Sequence, residues 1–119
     1  MMQQMSKQLP EADQAVFRDP NMQQIMIDGL LEAFKQGVSG PACEMKLFFK
    51  PWGFELDKIV CPVTIWYGTL DKQVPRSHAQ LYANTIPNVQ LNIIEGEGHH
   101  SLLRNHIRAI LKNECRMTG

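Results

Sequence analysis

The sequence has 119 residues, of which 44% are hydrophobic and 20% charged, a composition typical of one globular domain rather than of a disordered or fibrous chain. Twelve Lys and Arg balance twelve Asp and Glu. No basic surface is therefore expected to attract phosphates, which argues against nucleic acid as a partner. The apolar runs are far shorter than the roughly 20 residues of a membrane-spanning helix. The sequence predicts a soluble protein without membrane association.

Residues 1–8 carry no basic start, apolar stretch or small-residue cleavage site, so no secretory signal is indicated and a cytoplasmic location is expected. The three cysteines are Cys43, Cys61 and Cys115. They are widely spaced and form no C-x-x-C pair, which favours reduced thiols over a disulfide framework or a zinc site. We expect Cys43 and Cys61 to pack among apolar neighbours, and we predict no metal and no cofactor.

The first 50 residues carry the pattern of helices. A short helix is predicted over residues 10–18, a longer one from Pro20 or Asn21 to Gly37, and a third over residues 41–49. One face of the longer helix has apolar residues at a spacing of three and four, which predicts a packing face. Its members are Met22, Ile25, Met26, Gly29, Leu30, Ala33 and Phe34.

The pattern changes period after residue 51. The predicted elements are a strand over residues 61–67, a helix over 77–86 with a serine cap, a strand over 89–95 and a helix over 101–112, again with a serine at the cap. Strand, helix and strand at this spacing predict two parallel strands joined by a right-handed crossover. We expect an α/β fold in which residues 1–50 form a helical segment and residues 51–119 a βαβα unit, together one compact body.

Polar side chains of catalytic type follow both strands. Asp71 and His99 each lie four residues past the predicted end of a strand. In parallel sheets functional groups collect beyond the carboxyl ends of the strands, and adjacent strands lie only about 4.8 Å apart. We expect the two side chains to come within hydrogen-bond reach. Such a carboxylate orients the imidazole, which acts as a general base on a serine, a cysteine or water.

Asp71 and His99 each lie in a distinctive sequence motif. Asp71 lies in a Gly-x-x-Asp-x-x-Val-Pro run directly after a predicted strand (residues 68–75), and His99 ends a Gly-x-Gly-His run before a helix (residues 96–99). With the Pro-Trp-Gly-Phe run at residues 51–54, nearly the whole chain resembles the C-terminal portion of an α/β-hydrolase. The resemblance implies a partial α/β-hydrolase fold, with residues 1–50 similar to the cap region. It assigns Asp71 as the triad acid and His99 as the triad base.

The chain departs from that family's pattern at the nucleophile. The family's serine lies in a Gly-x-Ser-x-Gly turn between a strand and a helix, and the sequence contains no such motif. Its serines are Ser6, Ser39, Ser77 and Ser101. We therefore predict a C-terminal fragment of a serine-type hydrolase, which acts on an ester-like or amide-like small molecule when complete and is inactive alone.

Two other functions stay open at this point. One is a non-catalytic association module derived from the same fold, and the other is a small enzyme that uses Asp71 and His99 to activate water without a visible oxyanion or metal partner. An unpaired edge on the strand over residues 61–67, or the open face of the N-terminal helices, also predicts a homo-oligomer. Among the remaining polar residues, His78 and His106 are expected at the surface. Glu95 and Glu97 are expected as solvated loop charges, with an electrostatic influence on His99 as the alternative.

Overall fold

The structure is a computed structural model that describes residues 8–116, and the side chains of residues 8–112. Its elements in chain order are α1 (Glu11–Arg18), α2 (Pro20–Ala33), α3 (Ser39–Phe48), a short 3-10 helix (Leu56–Lys58), β1 (Val63–Gly68), α4 (Arg76–Thr85), β2 (Val89–Ile94) and α5 (His99–Arg116). The chain is mixed α/β, as the sequence predicted. Within the described residues, no helix has both the length and the apolar character needed to cross a bilayer.

The boundary between α1 and α2 follows from local chemistry. Asp19 ends α1 in extended backbone, and its side chain accepts a hydrogen bond from the Asn21 N–H at 2.9 Å. Pro20 occupies the first position of α2, where the missing N–H has no intrahelical partner in any case. After α2, Gly37 adopts φ +85°, a conformation that favours glycine and turns the chain away from the helix.

The predicted parallel strand pair is confirmed. β1 and β2 are parallel and in continuous register, from Val63 opposite Val89 to Gly68 opposite Ile94. The crossover helix α4 packs on both strands, α5 packs on β1, and α1 packs on α5. The carboxyl ends of both strands therefore lie at one edge of the sheet, next to the start of α5.

The hydrophobic core is small and lies among α1, β1 and α4. Its buried apolar residues are Val16, Tyr67, Ala79 and Ile86. No residue of α2 or α3 is buried. The packing face predicted for α2 is therefore correct only in part: Met22 and Met26 are half-buried, whereas Ile25, Leu30 and Phe34 are exposed.

The predicted packing of the cysteines is wrong. Cys43 and Cys61 are both exposed, because α3 has no buried face and Cys61 precedes the first paired residue of β1. The side chain of Cys115 lies outside the described residues.

The serine caps predicted for the last two helices are also wrong. α4 begins at Arg76, one residue before Ser77, and no side chain caps it. α5 begins at His99, so Ser101 lies inside its first turn. There the Ser101 hydroxyl accepts a hydrogen bond from the Gly98 N–H at 2.8 Å.

Candidate functional site

The two loops at the carboxyl ends of the strands bring Asp71 and His99 together. The sequence predicted equal offsets of four residues. The strands instead end at Gly68 and Ile94, so that Asp71 is the third residue past β1 and His99 the fifth residue past β2. The two side chains still meet despite the unequal offsets, because the longer loop after β2 folds back over the shorter loop after β1.

Backbone contacts between the two loops fix this meeting. The Leu70 N–H donates to the Glu97 carbonyl at 2.8 Å, and the Gly96 N–H donates to the Thr69 hydroxyl at 3.0 Å. A Cβ atom on Gly68 would overlap the Glu97 carbonyl. The loops can therefore approach this closely only because glycine occupies position 68.

Asp71 and His99 form the centre of the site. His99 Nδ1 lies 2.9 Å from Asp71 Oδ2, and the Asp71 side chain is only 8% exposed whereas the His99 side chain is 37% exposed. The other carboxylate oxygen of Asp71 accepts hydrogen bonds from the N–H groups of Gln73 at 2.8 Å and Val74 at 2.9 Å. Burial raises the pKa of Asp71, but the hydrogen bonds from these N–H groups and from His99 lower it by more. The pKa of Asp71 therefore lies below its ordinary value.

The hydrogen bond determines the tautomer of His99. An ionised Asp71 can only accept, so Nδ1 of His99 carries the proton and Nε2 of the neutral ring carries the lone pair. Among residues 8–112, no side chain or backbone group hydrogen bonds to Nε2 of His99. The arrangement can therefore abstract a proton at Nε2 while Asp71 stabilises the imidazolium that forms.

Two cavities flank the Asp71–His99 pair, called the dyad below, and His99 lines both. The larger, of about 470 Å³, lies between the N-terminal helices and α5 and is lined mainly by apolar side chains. Its lining includes Val16, Met22, Met26, His100, Leu103 and Ile107. The smaller, of about 260 Å³, lies on the β1 and α4 side and also contains Asp71. Both are open to solvent, so a small molecule can reach the His99 ring.

His100 belongs to the same cluster. Its Nε2 lies 2.8 Å from the side-chain nitrogen of Gln73, and its ring packs edge-on against Phe17 at 4.9 Å and against His99 at 5.0 Å. Burial and the neighbouring His99 lower the pKa of His100. Because the Gln73 amide nitrogen is a donor, the contact requires an unprotonated Nε2. A neutral His100 therefore joins the loop after β1 to α1.

Glu97 and His106 form a second carboxylate–imidazole pair. Glu97 accepts from His106 Nε2 at 3.1 Å and from the Asn105 side chain at 3.1 Å. Burial raises the pKa of Glu97, but hydrogen bonds from Ser101, Asn105 and His106 outweigh it, and the net pKa is lowered. The prediction of a solvated Glu97 is therefore wrong, since its side chain is only 14% exposed, whereas His106 is 30% exposed and lies partly at the surface.

The described part of the chain contains no nucleophile at the dyad. Ser39 and Ser77 are exposed in α3 and α4, and the buried Ser101 hydroxyl is engaged with Gly98. Within residues 8–112, no serine or cysteine side chain hydrogen bonds to His99; Ser6 lies outside that range. The same residues contain no group of three or more His, Cys, Asp or Glu side chains that could hold a metal ion.

Sequence reasoning missed two residues that hold the site in place. Gln73 was part of the Asp71 motif but carried no predicted role. Asp13 lies in the short helix predicted over residues 10–18 and carried no predicted role either. In the structure its carboxylate accepts hydrogen bonds from the backbone N–H groups at His99, His100 and Ser101. No local pattern marks it, because the partners lie more than 80 residues away.

Comparisons of the chain with protein-family models, with curated proteins and with solved structures find no match. The functional interpretation therefore depends on the geometry of the Asp71–His99 site and on the residues around it.

Proposed function

We propose that this chain supplies the acid and the base of a serine-type α/β-hydrolase that acts on ester or amide bonds. The nucleophile of that enzyme lies outside these 119 residues. The observation that carries the proposal is the 2.9 Å contact between His99 Nδ1 and Asp71 Oδ2, on loops that follow two paired parallel strands. The motifs around both residues, which resemble those of the hydrolase family, support the same assignment.

The proposed reaction uses the dyad as follows. His99 Nε2 takes the proton of a serine hydroxyl as its oxygen attacks the carbonyl carbon of the substrate, and Asp71 holds the resulting imidazolium. His99 then gives this proton to the leaving alcohol or amine, which departs as the acyl-enzyme forms. Water repeats the sequence with the same base, releases the acid and regenerates the serine. Donors to the oxyanion, like the serine, come from outside the chain.

The test is expression of the chain with and without the coding sequence that lies immediately upstream of it in its source genome. The chain alone should not hydrolyse a short-chain nitrophenyl ester above the rate of its own His99→Ala variant, because it lacks a nucleophile and oxyanion donors. The protein that also includes the upstream sequence, called the joined protein below, should hydrolyse the ester and react with a fluorophosphonate probe.

Variants of the joined protein then assign the roles. His99→Ala and Asp71→Asn should each lower kcat by about 10³-fold or more. Asp28→Asn removes an exposed acid on α2 and should leave kcat unchanged. A folded joined protein with neither activity nor labelling would refute the proposal. So would robust hydrolysis by the chain alone that His99→Ala abolishes, since this would reveal a nucleophile within it.

A second function, a non-catalytic association module, is favoured by the exposed apolar surface of the N-terminal helices. Leu31 of α2 is 66% exposed, Phe48 of α3 is 71% exposed, and the following Phe49 is 85% exposed. Monomeric proteins seldom leave such residues together in water. An association module would bind its partner equally well after His99→Ala, whereas the hydrolase would lose its activity.

A further inference from the structure

The N-terminus of α5 is closed by a carboxylate from a distant helix. Asp13 Oδ2 accepts the His99 N–H at 3.0 Å, while Asp13 Oδ1 accepts the His100 N–H at 2.9 Å and the Ser101 N–H at 2.8 Å. The first N–H groups of a helix have no partner within the helix. Asp13 thus satisfies three of them with one side chain.

Burial makes these hydrogen bonds important. Asp13 is 1% exposed, and no Lys, Arg or His side chain of residues 8–112 forms an ion pair with it. A buried carboxylate without a cation is stable only when N–H groups and the positive end of a helix replace its hydration. The Asp13 carboxylate and the start of α5 therefore stabilise each other.

Gly98 shows how closely the Asp13 carboxylate approaches the backbone before α5. A Cβ atom on Gly98 would overlap the Asp13 carboxyl group. Gly98 has no positive φ, so backbone conformation does not require glycine here. A larger residue at position 98 would displace the Asp13 carboxyl group from its place at the start of α5.

Two further contacts attach α1 to the same end of α5. The Phe17 ring packs edge-on against His100 at 4.9 Å. One turn farther along α5, Arg104 forms an ion pair with Asp19 at the end of α1. Helix α1 therefore lies along the first two turns of α5, with its buried carboxylate at the residue that carries the candidate base.

We propose that Asp13 is a positioning residue of the candidate site, which fixes the His99 backbone so that its ring meets Asp71. Asp13 does not contact the reacting atoms and acts through the helix terminus. The catalytic importance of Asp13 rests on the proposed function of His99. Its hydrogen bonds to the backbone of residues 99–101 do not depend on that function. Docking of α1 is then a condition for forming the dyad, and the N-terminal helix belongs to the site.

The first measurement uses the unaltered chain. Trans-hydrogen-bond scalar couplings should connect the amide nitrogens of His99, His100 and Ser101 with the carboxyl carbon of Asp13 in the isotope-labelled protein. Their absence in the folded chain would overturn the proposal. This test needs no variant, so it can overturn the proposal even if Asp13 proves essential for folding.

The second measurement compares Asp13→Asn with Glu11→Gln, which removes an exposed acid from the same helix. In Asp13→Asn, amide exchange at residues 99–101 should accelerate by about tenfold or more relative to amides in β2. The fraction of neutral His99 with its proton on Nδ1 should also fall. Glu11→Gln should change neither quantity.

Two results would contradict the positioning role. One is equal acceleration of exchange throughout the chain with an unchanged His99 tautomer, which would indicate a contribution to global stability alone. The other is unchanged exchange at residues 99–101. Neither measurement uses an ester substrate, so failure here is distinguishable from failure of the proposed hydrolase activity.

Discussion

Asp71 accepts hydrogen bonds on both carboxylate oxygens, so its ionised form is part of the folded structure. Its pKa in the folded chain lies below the ordinary 3.8, because hydrogen bonds from Val74, His99 and Gln73 outweigh the opposing effect of burial. A lowered folded-state pKa contributes stability that is complete above the unfolded pKa. That stability is lost as the pH falls through the folded value.

Asp71→Asn should therefore lower the free energy of unfolding at neutral pH by about 1–2 kcal/mol. The difference from the unaltered chain should shrink as the pH falls below about 4. Urea unfolding at a series of pH values measures it, with Asp28→Asn as the exposed control. A difference that stays constant from neutral to acid pH would show that the charge of Asp71 makes no contribution.

The sequence could predict Asp71 and His99 but not Asp13. The first two follow strands and lie in short motifs, so their positions can be inferred from local pattern and strand pairing. Asp13 acts on backbone groups 86 to 88 residues away, and its own surroundings are those of any acidic helix start. Its role arises from the packing of α1 on α5, which no local pattern specifies.

At the scale of elements, periodicity predicted which segments are helices and strands, whereas the helix starts and the loop offsets required tertiary structure. Pro75 is extended, with φ −61° and ψ 139°, and α4 starts directly after it rather than at a serine. α5 starts two residues before Ser101 because Asp13 satisfies its first N–H groups.

Glycine substitutions test the close approach of the two site loops. Gly68→Ala should destabilise the chain by about 1–3 kcal/mol, because the added Cβ meets the Glu97 backbone, which cannot rotate away as a side chain could. Gly29→Ala is the matched control. Nothing lies within 4 Å of its added Cβ, and alanine should stabilise α2 by up to about 1 kcal/mol.

Thermal or urea unfolding of the two variants measures these opposite effects. If Gly68→Ala is as stable as the unaltered chain, the two loops do not approach each other as closely as described. The assignment of Asp71 and His99 to one site would then lose its backbone support.

At the scale of the whole molecule, the main feature is how little of the apolar surface is covered. Hydrophobic spacing predicted a packing face on α2 but could not reveal whether any element would lie against it. In the structure Leu30 is 61% exposed, and the sheet formed by residues 8–116 has two strands, fewer than an isolated sheet needs for stability in water.

We therefore expect the purified chain to form a homo-oligomer, most simply a two-fold dimer, through the β1 edge or the N-terminal helices. Zero net charge adds no repulsion against association. Light scattering at micromolar concentration should give at least twice the monomer mass. A monodisperse species of 13.6 kDa would contradict this expectation.

The hydrogen bond between His99 Nδ1 and Asp71 Oδ2 is expected to keep the ring proton on Nδ1 and leave Nε2 as the base. The ¹⁵N chemical shifts of the His99 ring, measured in the purified chain at alkaline pH, report which ring nitrogen carries the proton. We predict a neutral ring with the proton on Nδ1, lost in Asp71→Ala and retained in Glu95→Gln, an exposed acid between the strand and the histidine. A neutral His99 with its proton on Nε2 in the unaltered chain would show that Asp71 does not set the tautomer.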